Sequence, residues 1–242
     1  MESQTIYHRI ILKVSGEALQ NEMDGSIYDE KKLKDLAEVV KSAHEKGTQI
    51  GIVVGAGNIW RGRMAEKVGI ERSTADYMGM LGTIMNALAL QSVLESLGLD
   101  TRVLSAINVP EACEPYIRRK AVSHLDKGRV IIFAGGTGNP YFTTDTCATL
   151  RALEINADAI IMGKNGVEGV YDSDPRKNKN AKLLRHLTYQ EVMNRKLAVM
   201  DLTAVAMLAD SSVKIHVFNM SDPNGLTDIL DGKAIGSVIA KE

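Results

Sequence analysis

The chain has 242 residues, 45% of them hydrophobic and 24% charged, with a formal net charge of −1. That length can bury a substantial core in one large α/β domain or two small ones. The near-zero charge excludes a general electrostatic pull toward nucleic acid or an anionic membrane, so an anionic substrate must be held by a local device.

Met1 to Arg9 is polar and lacks the apolar centre of a signal peptide. No window reaches the roughly 18 consecutive apolar residues that a membrane span needs. Cys113 and Cys147 form no metal-ligand pattern, which points to a reducing cytoplasm, and Cys147 reads as a small packing residue.

Apolar runs of strand length alternate with helical patterns. Ile10–Val14 is a strand ending at Ser15-Gly16, and Lys31 to Lys46 carries Leu33, Leu36, Ala37, Val40 and Ala43 at helical spacing before Gly47. Ile50–Val54 is a second strand, ending in Gly55-Ala56-Gly57-Asn58. A long buried helix is expected over Ala75 to Leu97, stopped by Gly98. Thr101–Ser105 reads as a strand, Glu114 to Asp126 as a helix and Val130–Ala134 as a strand. The loop Gly135 to Pro140 follows, then a helix from about Asp145 to Asn156 and a strand over Ala159–Met162. Ser173 to Ala181 is the most polar stretch and reads as an exposed loop. Leu187 to Asp210 looks helical, Lys214–Phe218 extended, and Leu226–Asp231 a short helix before a terminal strand over Gly236–Ala240. Strands apolar on both faces and separated by helices imply a mostly parallel sheet covered on both sides, a three-layer α/β/α sandwich.

In such sheets ligands bind beyond the carboxyl ends of the strands. Three of those ends carry glycine-rich turns: Lys13-Val14-Ser15-Gly16, Gly55 to Asn58, and Gly135 to Asn139. Glycine lets backbone N–H groups approach an anion, although any one such loop could be a plain tight turn. The Walker-A pattern, the dinucleotide fingerprint, H-E-x-x-H, G-x-S-x-G and the protein-kinase set are absent.

Lys13 lies inside an apolar strand, where burial without an anionic partner is costly. It could reach a β- or γ-phosphate, or else snorkel to solvent at the sheet edge. Arg61 offers a planar fork for phosphate, against the alternative of a surface arginine. In Asn139-Pro140-Tyr141-Phe142-Thr143-Thr144-Asp145, one hydroxyl could cap a helix while others face a ligand, and the ring residues give a flat base or sugar an apolar surface. Asp145 could orient Lys13, bind magnesium or simply cap the helix. Asp76, placed at the start of the long helix, could accept bonds from ribose hydroxyls or cap that helix. Met78, Met80 and Met85 read as core. In the segment Gly163 to Pro175, adenine could lie against Tyr171 with Asn165 and Asp174 as hydrogen-bonding partners; a β-hairpin over the sheet is the alternative.

Taken together, KVSGEAL (13–19), GAGNIWRG (55–62), ADYMGML (75–81), GTGNPYFTTDT (136–146) and GKNGVEGVYDSDP (163–175) resemble the bacterial uridylate kinases of the amino-acid-kinase fold. VMDLTA (199–204) and HVFNM (216–220) extend the likeness from about Arg9 to the C-terminus. The Asn-Pro-Tyr-Phe-Thr-Thr-Asp segment separates it from aspartate, acetylglutamate and carbamate kinases. The resemblance implies transfer of the ATP γ-phosphoryl group to UMP, with magnesium accompanying ATP and no dedicated protein metal site. It implies catalytic roles for Lys13, Arg61 and Asp145. It assigns ATP contacts to Lys13, Val14, Ser15, Gly16, Gly57, Arg61, Asn165, Tyr171 and Asp174. UMP contacts fall to Ala56, Asp76, Thr137, Gly138, Asn139, Pro140, Tyr141, Phe142, Thr143 and Thr144. It further implies one domain over residues 1–242, with an acceptor-binding lobe to about 158 and an ATP-binding lobe beyond, and a cytoplasmic homohexamer.

Two departures stand out. The family often has three glycines where this chain has Gly55-Ala56-Gly57, so Ala56 must adopt a conformation tolerable to a Cβ. The stretch Gln20 to Ile27 is shorter and more acidic than in many members, where it is linked with activation by GTP. UTP and GTP are the effectors the resemblance names, and this departure argues against GTP. Rival readings are another small-molecule kinase of the fold, acting on a carboxylate, carbamate or isopentenyl phosphate, and a nucleotide sensor without catalysis. Lys13 and Asp145 argue against the sensor, and a nucleic-acid-binding regulator suits the charge least.

Overall fold

The structure, a computed structural model, describes residues 5–21 and 23–241, excluding the side chains of Arg63 and Glu66. The readings made at Met1–Gln4, at Glu22 and at Glu242 lie outside the described residues.

The strands are β1 (Arg9–Val14), β2 (Gln49–Val54), β3 (Thr101–Ser105), β4 (Glu114–Pro115), β5 (Val130–Ala134), β6 (Ala159–Lys164), β7 (Val170–Tyr171), β8 (Leu183–Leu184), β9 (His186–Thr188), β10 (Lys214–Asn219) and β11 (Ser237–Ala240). The helices are α1 (Glu30–Glu45), α2 (Gly62–Val68), α3 (Arg72–Ser96), α4 (Arg118–Asp126), α5 (Thr144–Glu154), α6 (Tyr189–Asn194), α7 (Leu202–Leu208) and α8 (Gly225–Leu230), with a 3-10 turn over Gly16–Leu19. Nine strands form one sheet in the order β4-β3-β5-β2-β1-β6-β10-β11-β9, parallel except where β10 meets β11. β7 and β8 pair separately as an antiparallel ribbon.

Side-chain alternation divides the core into two layers. Ile10, Leu12 and Val14 point toward α1, α3 and α8, where they meet Leu36, Val40, Leu90, Leu94 and Ile229. Ile11 and Val53 point the other way and pack with Leu125 of α4, Cys147 and Ala148 of α5, and Val205 of α7. The sandwich expected from the two-sided apolar strands is present. Cys147 is a packing residue, 1% exposed, and burial pushes its thiol up to about 11.

Four sequence readings need correction. Met85, read as core, is 47% exposed on α3. Leu187 to Asp210 is not one helix: β9 opens it, and α6 ends where Lys196 takes a left-handed φ of 49°. A new cap then starts α7, with Asp201 accepting from the Ala204 N–H. The stretch from Glu114 begins as a short strand beside β3, the backbone stays extended through Ile117, and the helix starts only at Arg118. α3 begins at Arg72, so Asp76 lies one turn inside it rather than at its start. α3 is also long and apolar enough to match a membrane span by length and composition, which the sequence reading did not flag. Within the fold, 44% of its most apolar window is buried, and it packs over β2, β3 and β5.

His216 on β10 is almost fully buried, and its Nε2 lies 2.7 Å from the Tyr7 hydroxyl. Its Nδ1 has no partner among the described residues. Burial, with a smaller push from Lys214, moves its pKa down to about 4. The ring is therefore neutral when folded, whereas the unfolded chain takes up a proton near the ordinary pKa of about 6.5. Below that point the unfolded state binds more protons, so stability falls as pH drops from about 6.5 to about 4. Denaturant unfolding at pH 7.5 and 4.5 should show a pH-dependent loss that shrinks by about 1–3 kcal/mol in His216→Gln. An unchanged pH dependence in the variant would clear His216 of the effect.

Candidate active site

Parallel strands deliver their carboxyl ends to one edge of the sheet, and the loops after β1, β2, β5 and β6 meet there. Lys13 shares the parity of Ile11 and so faces the layer of α5 and α7. Its Nζ lies 2.7 Å from Oδ1 of Asp145, with the side chains 13% and 19% exposed. The contact is an ion pair by distance but not aligned as a hydrogen bond, since Oδ1 has no hydrogen-bonding partner. Lys13 does not snorkel to water. Asp145 is not the helix cap either: Thr143 caps α5, accepting from the N–H groups of Asp145 and Thr146 at 3.1 Å each.

The first two glycine loops touch backbone to backbone. The Gly55 N–H donates to the Val14 carbonyl at 2.9 Å. A Cβ on Gly16 would stand 2.5 Å from both the Gly55 carbonyl and Asn58 Oδ1, so only glycine fits. Two buried amides hold the second loop from behind. Asn86 on α3 donates to the Gly55 carbonyl at 2.7 Å and to Asn58 Oδ1 at 2.8 Å. Asn58 donates to the Ile27 carbonyl at 2.8 Å. Ala56 has no left-handed φ, so its Cβ brings no backbone strain. Room for that Cβ comes from Gly82 on α3, where an added Cβ would lie 2.9 Å from it. Arg61, the residue preceding α2, pairs with Glu17 at 2.9 Å and donates to the Gly57 carbonyl at 3.1 Å, half exposed at the mouth.

The third loop is fixed at both ends. The Gly135 N–H donates to Thr83 Oγ1 at 2.9 Å, and Gly135, Gly136 and Gly138 all have positive φ. Beneath it, Arg151 is only 4% exposed. Its guanidinium pairs with Glu154 at 2.6 Å, donates to the Gly136 carbonyl at 3.2 Å and lies 3.7 Å over the Tyr116 ring. Asp76 accepts from the Tyr141 N–H at 2.8 Å and from Arg72 at 2.9 Å, so it ties α3 to this loop instead of capping a helix. Tyr141, at a φ of 72°, and Phe142 are exposed, and Arg72 lies over the Tyr141 ring at 5.5 Å. Thr137 Oγ1 and Asn139 bond each other. Pro140 is half-buried. Thr143 spends its hydroxyl on Asp201, whereas Thr144 Oγ1 faces Gly55 across the cleft.

Asn165, Tyr171 and Asp174 sit on a separate excursion after β6. The hairpin alternative is realised, with Tyr171 opposite Leu183 in the β7–β8 ribbon. Arg176 bridges it, donating from its guanidinium to the Asn165 carbonyl at 3.1 Å and from its backbone N–H to Asp174 Oδ1 at 3.0 Å. Tyr171 is half-buried, while Asn165 and Asp174 are exposed.

The sequence reading missed several contributors. Asn86 and Arg151 show no motif signal, and Glu17 lies in KVSGEAL without a role assigned to it; only their partners reveal them. Asp201 sits in VMDLTA, which was noticed without a role. Its Oδ2 accepts from the hydroxyls of Thr143 and Thr146, the latter at 2.9 Å. Burial pushes this carboxyl up, but those bonds and that from Ala204 outweigh it and leave the pKa below the ordinary range. Lys164 ends β6, half-buried, and donates to the Val199 carbonyl at 2.9 Å. Burial and the nearby Lys13 lower its pKa, opposed by Asp145.

A lysine–carboxylate pair set among three glycine-rich loops suits a phosphotransferase, in which positioning and charge compensation carry the chemistry. The chain belongs to the amino acid kinase family, which it matches over residues 8–219. It is 52% identical over 233 residues to the uridylate kinase of Limosilactobacillus reuteri, covering 96% of this chain and 97% of that one. The UMP kinase of Bacillus anthracis superposes with a TM-score of 0.95 at 42% identity, covering 98% of this chain and 97% of that one. The UMP kinase of Ureaplasma parvum does so with a TM-score of 0.92 at 42% identity, covering 97% and 99%.

The Ala56–Gly82 contact gives a sign test. Gly82→Ala would gain up to about 1 kcal/mol on helix propensity alone, yet the clash with Ala56 should make it a net destabilisation of about 1–3 kcal/mol. Adding Ala56→Gly should restore most of the loss in urea unfolding. A stabilised single variant would show that the two positions do not compete for space.

Proposed function

We propose that the chain is an ATP-dependent UMP kinase that transfers the γ-phosphoryl group of ATP to UMP, giving UDP and ADP. The observation that carries this reading is the Lys13–Asp145 pair at the end of β1, 2.7 Å apart and flanked by the 55–58 and 136–144 loops. A phosphate oxygen of UMP attacks the γ-phosphorus and ADP leaves. Charge spreads over the three equatorial oxygens of the transferring group, and no covalent enzyme intermediate is needed. The Lys13 ammonium offsets that charge, held in line by Asp145. Val14, Ser15, Gly16 and Gly57 offer backbone groups to the ATP phosphates, and Arg61 exchanges Glu17 for phosphate. Asn165, Tyr171 and Asp174 hold the nucleoside of ATP. Ala56, Asp76 and the loop from Thr137 to Thr144 hold UMP, the base being read through backbone groups. Lobes divided near residue 158 would then carry acceptor and donor respectively.

Magnesium accompanies ATP. No cluster of three or more metal-ligating side chains occurs among the described residues, so phosphate oxygens and water would supply most ligands. Asp145 would be the carboxylate to meet the ion, sharing its charge with Lys13 2.7 Å away. Its contribution is to neutralise phosphate charge.

A cytoplasmic homohexamer with UTP or GTP as effectors completes the proposal, the Gln20 to Ile27 stretch speaking against GTP. The exposed stripe of Tyr77, Leu81 and Met85 at four-residue spacing on α3 supports association between copies.

A coupled ADP-release assay against UMP, CMP, dTMP, aspartate and carbamate tests the reading. UMP should be preferred over CMP by up to roughly 10⁴, because an exocyclic amine in place of a carbonyl leaves buried partners unpaired. Similar efficiencies for the two would mean that the base is not read here. Turnover of aspartate or carbamate in place of UMP would move the chain to another branch of the family. Asp76→Asn should raise KM for UMP at least several-fold, about the loss of one charged hydrogen bond, and leave KM for ATP near its original value. Equal effects on both substrates would make Asp76 a purely structural tie.

A further inference from the structure

Lys13 is not the only ammonium at this edge of the sheet. Ile160 and Met162 point from β6 into the α5–α7 layer, so Lys164 has the same parity and projects over the same face as Lys13. β1 and β6 are hydrogen-bonded neighbours, with Lys13 opposite Met162. Lys164 therefore stands one pleat repeat, roughly 6.6 Å, further toward the carboxyl edge. Lys13 opposes the charge on Lys164 and Asp145 favours it, so the three groups form one electrostatic unit. Two cations face one carboxylate, and Asp145 is spent on Lys13 at 2.7 Å. Lys164 is left with the neutral carbonyl of Val199 at 2.9 Å and no carboxylate within ion-pair distance among the described residues.

A half-buried ammonium held by one carbonyl has donors to spare and an uncompensated charge. We propose that Lys164 is a second phosphate-binding cation of the transfer site, which contacts the polyphosphate of the donor nucleotide alongside Lys13. The assignment rests on the kinase reading for its substrate, but its own requirement is only an inorganic polyphosphate chain. The burial that weakens the free ammonium makes an anionic partner more valuable, since Coulomb attraction grows as water is excluded. Val199 lies two residues before Asp201, which fixes Thr143 and Thr146 at the start of α5. A competing structural role is therefore well defined: Lys164 could serve only as a strut between β6 and the segment leading into α7.

Two substitutions separate the roles. Lys164→Gln keeps a donor for the Val199 carbonyl and removes the charge, whereas Lys164→Arg keeps the charge. Binding of inorganic tripolyphosphate, measured by calorimetry, should weaken about 10- to 100-fold in Lys164→Gln, the scale of one charge-assisted hydrogen bond. KM for ATP should rise in parallel, KM for UMP should stay within twofold, and Lys164→Arg should recover most of the affinity. The proposal is overturned if Lys164→Gln binds tripolyphosphate within twofold of the unaltered protein. It is equally overturned if both variants lose thermal stability together and raise both Michaelis constants alike, which is the signature of a strut. An unaltered protein that binds tripolyphosphate through Lys164 yet phosphorylates no UMP would sink the UMP kinase reading and leave this assignment standing.

Discussion

Burying an ammonium group inside a strand is costly unless an anion meets it, because the desolvation penalty amounts to several kcal/mol per ion. Lys13 meets that condition through Asp145, and much of the site follows from making the meeting possible. The parity of β1 turns Lys13 toward α5, and the carboxylate is delivered from the second residue of that helix. The start of α5 must then be immobile. Thr143 caps it, Asp201 holds Thr143 and Thr146, and Asp201 itself caps α7. One charge pair thus draws on elements more than 180 residues apart in the chain, from Lys13 to Asp201.

Around this pair the loops show a division of labour. Backbone groups of the first two glycine loops are left at the cleft because buried amides, Asn58 and Asn86, take up the structural bonds behind them. The loop from Gly135 to Thr144 is pinned by Thr83 at one end and by Arg151 beneath, while Tyr141 and Phe142 stay exposed. Arg61 pairs with Glu17 at the surface, where an ion pair contributes at most about 1 kcal/mol and is readily broken. Rigid support and exchangeable charge are therefore carried by different residues.

What the sequence disclosed and what it hid follow the same physics. The central strands of the sheet were legible because they are apolar on both faces, and the loops because glycine clusters at their ends, whereas the short edge strands β4 and β9 were hidden in stretches that read as helix. The departure at Ala56 was legible as a difficulty but not as a solution, since Ala56 is in a loop and Gly82 lies 26 positions away on α3. The stretch from Leu187 to Asp210 reads as one helix because apolar spacing continues across it without glycine or proline. Its break depends on Lys196 adopting a left-handed φ and on Asp201 starting a new cap. Asp76 and Asp145 both looked like helix caps by position, and only the fold shows that Glu71 and Thr143 occupy those places. Asn86 and Arg151 carry no local signal, and Lys164 lies in a quoted motif that gives it no role; their meaning lies in partners brought by the fold.

The central claim is that the Lys13 charge, positioned by Asp145, drives transfer of a phosphoryl group to UMP. Its most direct test is single-turnover transfer of the labelled γ-phosphoryl group of ATP to UMP, comparing the unaltered protein with folded Lys13→Ala. The account predicts labelled UDP from the former and a transfer rate lower by about 10²–10³ in the latter, the scale of losing one transition-state partner. A folded Lys13→Ala protein that transfers within about threefold of the original rate, a difference well below that scale, would contradict it.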